Sequence, residues 1–255
     1  MILAMDVGNT NIKCGLFEQG KLLHSFRIST DVDMTSDEYG VSMISFFDYL
    51  KITTDMVTGV IVSSVIPSIN YTLEHMSREY FDVRPMFVGP GIKTGINIKY
   101  DNPKELGADR IVSAVAAYEL FGGPVITVDF GTATSFGAVS ENGDFLGGAI
   151  CPGVLISADA LTSSAAKLPR IELVRPKSII NRGTVSGMQA GIIYGYVGQV
   201  QYIIEKLKEE LGPAKVIATG GFSSLISEST DVIDEIVPTL TLIGLEKIYM
   251  KNIHQ

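Results

Sequence analysis

Tryptophan is absent from this chain, cysteine occurs twice and histidine three times among 255 residues. Cys14 and Cys151 are too few for a disulfide framework, and neither has a second ligand at metal-binding spacing. His24, His75 and His254 stand far apart, which argues against a His/Cys zinc site. Positive charge is also scarce. Lys plus Arg number 20 against 28 Asp plus Glu, a net charge of −8. A nucleic-acid binder should carry a basic stripe, and none is visible. An anionic small substrate stays open, because a site needs only a few local cations. No apolar run reaches the roughly 18 residues of a membrane span, so no membrane partner is expected. The first residues, Met1 to Asp6, have no basic region, and Asp6 interrupts their apolar run, so no signal peptide is read there. Three motifs are missing as well: the G-x-S-x-G elbow of serine hydrolases, the G-x-x-x-x-G-K-[ST] phosphate loop and the G-x-G-x-x-G dinucleotide fingerprint. What is present is ample apolar content, 46% hydrophobic against 19% charged residues, which excludes disorder. At about 150 residues per domain the length fits one large or two small domains. The expectation is a soluble, cytoplasmic enzyme.

The chain repeats itself. Residues 2–23 align without a gap on residues 125–146. Ile2-Leu3-Ala4-Met5 lies over Val125-Ile126-Thr127-Val128, Asp6 over Asp129, Gly8 over Gly131, and Asn9-Thr10-Asn11 over Thr132-Ala133-Thr134. Glu18, Gly20 and Leu23 match Glu141, Gly143 and Leu146. Each copy reads as a strand, a D-x-G turn, a second strand, a Gly-containing turn and a third strand. Gln19-Gly20 and Asn142-Gly143 suit hairpin turns that need positive φ. Periodicity predicts helices over 36–50, 68–80 and 105–121, a short one over 156–168, the longest over 187–211, and further ones near 222–228 and from about 241. Strands are predicted over 57–65, 85–88 and 215–219. Residues 168–186, with Pro169 and Pro176, read as a loop-rich excursion. Strands followed by helices, twice over, define an α/β fold of two similar lobes, with domains expected at 1–121 and 122–255.

A strand that ends in Asp and turns through Gly and small polar residues can aim main-chain N–H groups at phosphate oxygens. Gly lets phosphate approach the main chain closely. The Asp cannot bind phosphate, but it suits a cation or the waters around Mg²⁺. Two such turns on facing lobes would grip a nucleotide from both sides, and Lys13 could neutralise a phosphate.

These residues carry a resemblance. D-V-G-N-T-N at 6–11, D-F-G-T-A-T at 129–134 and A-T-G-G at 218–221 resemble the first phosphate, second phosphate and adenosine elements of the actin, Hsp70 and sugar-kinase superfamily. Y-D-N-P at 100–103, G-A-D-R at 107–110, G-G-A-I-C-P-G at 147–153, and Asn181 with Thr184 narrow it to the type III pantothenate kinase family, from residue 2 to about 250. The resemblance implies a duplicated actin-like ATPase fold: two ribonuclease H-like lobes, mixed sheets flanked by helices. It implies phosphorylation of pantothenate to 4′-phosphopantothenate, the first step of coenzyme A biosynthesis, by a homodimer. It places ATP and Mg²⁺ at Asp6, Val7, Gly8, Asn9, Thr10, Asn11, Ile12 and Lys13, with Thr132 also contacting ATP. A monovalent cation, K⁺ or NH₄⁺, falls to Asp129. Asp109 becomes the general base, and Tyr100, Gly107, Ala108, Asp109, Arg110 and Thr184 the pantothenate site.

Each residue also has an ordinary role. Asp109 in a first helical turn stabilises the helix dipole wherever it occurs. Lys13 fits a solvated strand, Tyr100 a packed loop, Thr184 a helix entry, and Gly220-Gly221 a plain strand-to-helix turn. Cys14 and Cys151 read as small buried residues rather than nucleophiles. Two other functions remain open: a kinase for another small alcohol such as a sugar, and a nucleotide-binding regulator without phosphotransfer.

Overall fold

The computed structural model describes residues 1–253. In chain order the elements are β1 (Ile2–Val7), β2 (Asn11–Glu18), β3 (Lys21–Ser29), α1 (Ser36–Leu50), β4 (Gly59–Ser64), α2 (Asn70–Phe81), β5 (Met86–Phe87), β6 (Asn97–Ile98) and α3 (Ala108–Phe121). There follow β7 (Val125–Phe130), β8 (Ala133–Val139), β9 (Asp144–Gly147), β10 (Ile150–Pro152), α4 (Val154–Ser164), α5 (Thr184–Leu211), β11 (Lys215–Gly220), α6 (Ser223–Ser227), β12 (Glu235–Ile236) and α7 (Leu240–Ile253). They form two compact units. One comprises residues 1–95, 101–116 and 240 onward, the other 96–100 and 117–239.

The first unit holds a five-stranded sheet in the order β3-β2-β1-β4-β5, with β1, β4 and β5 parallel and β2 and β3 antiparallel to their neighbours. The strands of its middle are apolar on both faces, as covered parallel strands must be. Leu3, Met5, Val7 and Val60 pack with Tyr39, Met43 and Phe47 of α1 and Leu73 and Met76 of α2. A capping box starts α1: the Thr35 hydroxyl accepts from the Glu38 N–H, and the Glu38 carboxylate accepts from the Thr35 N–H at 2.8 Å. Helix α7 lies against β1, β2 and β4. It meets α3 at Gly244, where a Cβ would collide with the Val112 main chain.

The second unit holds seven strands, β12-β11-β7-β8-β9-β6 with β10 on β8. Strands β12-β11-β7-β8-β9 repeat the order and the senses of β5-β4-β1-β2-β3. The sequence repeat is thus a topological one, and the mixed α/β architecture is as expected. Its core joins Ile126, Val128 and Phe136 to Ile193, Val197 and Val200 of α5.

Several details differ from the sequence reading. The gapless alignment breaks after the D-x-G turn. Three residues (8–10) join β1 to β2, but only two (131–132) join β7 to β8. Asp6 therefore pairs with Lys13, whereas Asp129 pairs with Ser135, not with Phe136. Side chains alternate faces, so a one-residue shift reverses which side chain stands beside the acid. The second hairpin also differs: φ is positive at both Gln19 and Gly20, but in the loop 140–143 only Gly143 has it. Helix α5 begins at Thr184, three residues before the predicted start, and the two-residue strands β6 and β12 carry no periodic signal.

Candidate active site

The first unit brings together most of the residues expected at a nucleotide. Asp6 is the penultimate residue of β1 and is nearly buried. Lys13 stands opposite on β2, its Nζ 3.6 Å from Asp6 Oδ2. The turn between them is braced by Gly8 N–H donating to Asn11 O at 3.1 Å and by the Thr30 hydroxyl donating to Gly8 O at 2.6 Å. Asn9, Thr10 and Asn11 are exposed on it. Val7 and Ile12 lie in the core, so only their main-chain atoms can reach a ligand. Behind the acid, burial and the Asp6 charge push the Cys14 thiol far above its ordinary range. It is an inert packing group rather than a nucleophile.

Asp109 occupies the first turn of α3. Its carboxylate folds back over Gly107, where a Cβ would press on Asp109 Oδ1 and push it aside. Burial raises its carboxyl pKa, and the nearby Asp6 charge raises it further. The Arg110 main-chain N–H and guanidinium pull the other way, as does its own N–H. Acids at helix starts ordinarily gain from the dipole; here desolvation and a like charge win. Gly107 O accepts from the N–H groups of Arg110 and Ile111 at 3.1 and 3.3 Å, which starts the helix and fixes where Asp109 points. Ala108 is buried and Arg110 half-buried. One turn on, Ser113 is buried, and its hydroxyl has no partner among the described residues. Nothing in the sequence singled it out.

The second unit holds the other candidates. Asp129 is the penultimate residue of β7, and Thr132 is exposed at the tip of the following turn. Thr132 O accepts from Gly153 N–H at 3.1 Å, and a side chain at Gly153 would strike that carbonyl. The glycine of G-G-A-I-C-P-G is therefore required by close main-chain approach. Gly220, at φ +93°, leans on Asp129: a Cβ there would stand 2.6 Å from Asp129 Oδ1. The A-T-G-G segment is thus more than a plain turn, since it packs against the second acid. Tyr100 is half-buried beside Phe145, ring centroids 6.4 Å apart. Thr184 is the first residue of α5 behind Gly183, exposed and without a capping role. Cys151 sits in β10 against Thr134, its thiol pKa raised by burial. His24 lies in β3, His75 is exposed on α2, and His254 lies outside the described residues.

The residue types fit the groups expected of such a site. Asp6, with Asp109 within electrostatic reach, provides carboxylate oxygens of the kind that hold a largely hydrated Mg²⁺. No helix among the described residues is long and apolar enough to cross a membrane.

Fold and turns together define a duplicated actin-like fold of the kind found in sugar kinases. The chain resembles ROK hexokinase from Thermus thermophilus (13% identity, TM-score 0.55, 98% of this chain and 99% of that one). It also resembles the inorganic polyphosphate/ATP-glucomannokinase of Arthrobacter sp. strain KM (16%, 0.52, 98% and 99%). A conserved putative Baf family transcriptional activator from Campylobacter jejuni matches at 19% identity, TM-score 0.62 and 98% of both chains. At such identities these likenesses establish the fold alone. The family model for type III pantothenate kinases matches residues 2–206, and the chain belongs to that family.

Proposed function

We propose that this protein transfers the γ-phosphoryl group of ATP to the primary hydroxyl of pantothenate, giving 4′-phosphopantothenate and ADP. The observation that carries the reading is the Asp109 carboxyl, raised in pKa and within electrostatic reach of the acid on the nucleotide turn. The hydroxyl oxygen attacks the γ-phosphorus as the bond to the ADP oxygen breaks, and Asp109 accepts the hydroxyl proton. A base works best when its pKa is brought toward the working pH, and burial moves Asp109 in that direction. Phosphoryl transfer otherwise asks for positioning and charge stabilisation. Lys13 and the main chain of residues 6–12 hold the phosphates, and Thr132 contacts the nucleotide. Asp6 would hold Mg²⁺ through its waters, and the ion would supply positive charge to the transferring phosphoryl group. The planar Arg110 fork suits the pantothenate carboxylate, with Gly107 and Ala108 beside it in sequence; Tyr100 and Thr184 are assigned to pantothenate as well. A monovalent cation, K⁺ or NH₄⁺, belongs to Asp129, and the protein acts as a homodimer in the cytoplasm.

ADP release measured with ATP, Mg²⁺ and pantothenate, in K⁺ and again in Na⁺ alone, tests this. Turnover requiring both pantothenate and K⁺ is expected. Turnover with hexoses instead would make the protein a sugar kinase. Tight ATP binding with no acceptor-dependent ADP release would make it a nucleotide-binding regulator.

A further inference from the structure

A row of side chains crosses the first unit's sheet at the level of its acid. Ser63 on β4, Asp6 on β1, Lys13 on β2 and Arg27 on β3 are neighbours in register. Asp6, Lys13 and Arg27 each stand between two residues packed into or against the core, Met5 and Val7, Ile12 and Cys14, Phe26 and Ile28. Side chains alternate along a strand, so all three project from the opposite face. The row thus ends in two cations side by side, and like charges directly opposite each other weaken an antiparallel pair. Lys13 has Asp6 at 3.6 Å. Arg27 is exposed, and no acid lies within ion-pair distance of it among the described residues. The residues beside the pair on that face, Asn11, Gly15, Ser25 and Ser29, are uncharged. The second unit repeats the row without its basic end. Thr219, Asp129, Ser135 and Ile150 stand in register on β11, β7, β8 and β10. Ser63 and Thr219 correspond: both are wholly buried, and neither hydroxyl has a partner among the described residues. The same ladder therefore forms without a cation pair, so the pair in the first unit serves something other than the fold.

We propose that Arg27 joins Lys13 in a two-cation clamp on the terminal phosphate of bound ATP. The proposal rests on the nucleotide reading above and adds a residue to it. Two cations that repel each other are reconciled by an anion between them. The terminal phosphate carries the most negative charge of the nucleotide and three non-bridging oxygens, enough to accept from both. The guanidinium offers two parallel N–H donors to a pair of phosphate oxygens, and the ammonium a compact point charge to the remaining one. Position selects the terminal phosphate over the inner ones. The Asp6 charge reaches Asp109 strongly enough to raise its pKa, so the row lies on the side where the acceptor hydroxyl and the γ-phosphorus must meet. The exposed turn residues Asn9, Thr10 and Asn11 lie ahead of the row, at the inner phosphates. Arg27 is also held in place relative to that turn. Three residues beyond it, the Thr30 hydroxyl donates to Gly8 O at 2.6 Å and the Thr30 N–H to Thr10 O at 3.0 Å.

The test reads binding apart from turnover. Calorimetry with Mg²⁺ compares a non-hydrolysable ATP analogue with ADP, which lacks the terminal phosphate. Arg27→Gln, which keeps length and removes charge, should weaken the triphosphate at least about tenfold and ADP by less than about threefold. Arg27→Lys, which keeps the charge but not the fork, should fall between Arg27→Gln and the wild type. General damage to the site would weaken both nucleotides alike, so their ratio isolates the terminal phosphate. Without ligand, the melting temperature of Arg27→Gln should match or exceed that of the wild type, because the like-charge opposition is relieved. An Arg27→Gln protein that binds the triphosphate like the wild type overturns the proposal. So does one that loses both nucleotides equally. A lowered melting temperature without ligand also overturns it, since the fold would then be what needs the arginine. If the kinase reading alone is wrong, pantothenate-dependent ADP release is missing while the selective loss of triphosphate affinity in Arg27→Gln remains.

Discussion

At the scale of single residues the proposed chemistry turns on Asp109. Replacing it by Asn keeps the size and removes the proton acceptor. Turnover is expected to fall at least about a hundredfold while ATP affinity changes little; steady-state kinetics with calorimetric ATP binding checks both. Its titration has a consequence for stability. The folded protein holds this carboxyl above its ordinary value of 3.8, chiefly through burial and next through the Asp6 charge. A raised acid means that the native state binds the extra proton. Its contribution is therefore fully present below the unfolded value and is lost as pH rises through the folded one. Asp109→Asn should accordingly raise the melting temperature at neutral pH, with the gain shrinking as the pH falls toward 3.8. Asp6→Asn should lower the Asp109 value, read from its side-chain carboxyl resonance in metal-free protein. An Asp109 resonance that titrates at the ordinary value in the wild-type protein would remove the physical argument for it as the base.

At the scale of elements, close contacts decide what sequence can occupy them. Helices α3 and α7 approach so nearly that Gly244 has no room for a Cβ over the Val112 main chain. Main chain cannot turn aside as a long side chain does. Gly244→Ala should destabilise the protein by about 1–3 kcal/mol despite alanine's better helix propensity, measured as a lower urea midpoint with unchanged slope. Thr35→Ala, which removes the α1 capping box, should cost about 1 kcal/mol. Such elements were legible where local chemistry is strong. The apolar stripe of α1 predicts its observed ends, and the D-x-G turns mark the ends of β1 and β7. The candidate residues of 6–13 and 107–110 were legible as motifs, though not which of them are core: Val7 and Ile12 flank the D-x-G turn yet lie in the core. The register across the second turn was not legible. One residue fewer in a turn leaves composition unchanged, and its effect appears only in which strand residues pair. Ser63, Ser113 and Thr219 escaped notice for a similar reason. A lone hydroxyl in an apolar run becomes informative only when burial leaves it without a partner.

At the scale of the whole molecule the surface makes the last argument. Helix α4 buries Val154 and Ala158 but also exposes Leu155, Ile156 and Leu161. An amphipathic surface helix should be polar on its outer side, and this one carries three large apolar residues there beside Asp159 and Ser163. The same unit exposes Ile150, Ile179, Ile180 and Val185. The long helix α5 carries Gly187, Gly191, Gly195 and Gly198 along its exposed surface, each with open space where a Cβ would stand. Glycine within a helix costs about 1 kcal/mol relative to alanine, so four of them on the exposed side of one helix oppose its stability. Close approach of a second helix main chain gives them a use that exposure to water does not. The proposed homodimer would cover these positions, and light scattering should then give about twice the 27.5 kDa chain mass. Gly191→Leu, which improves helix propensity but fills the open space, should yield a well-folded monomer of unchanged helicity. Ile156→Glu should act in the same direction through charge rather than bulk. A wild-type protein that scatters as a single chain at micromolar concentration would show that the apolar outer side of α4 and the glycines of α5 serve some purpose other than self-association.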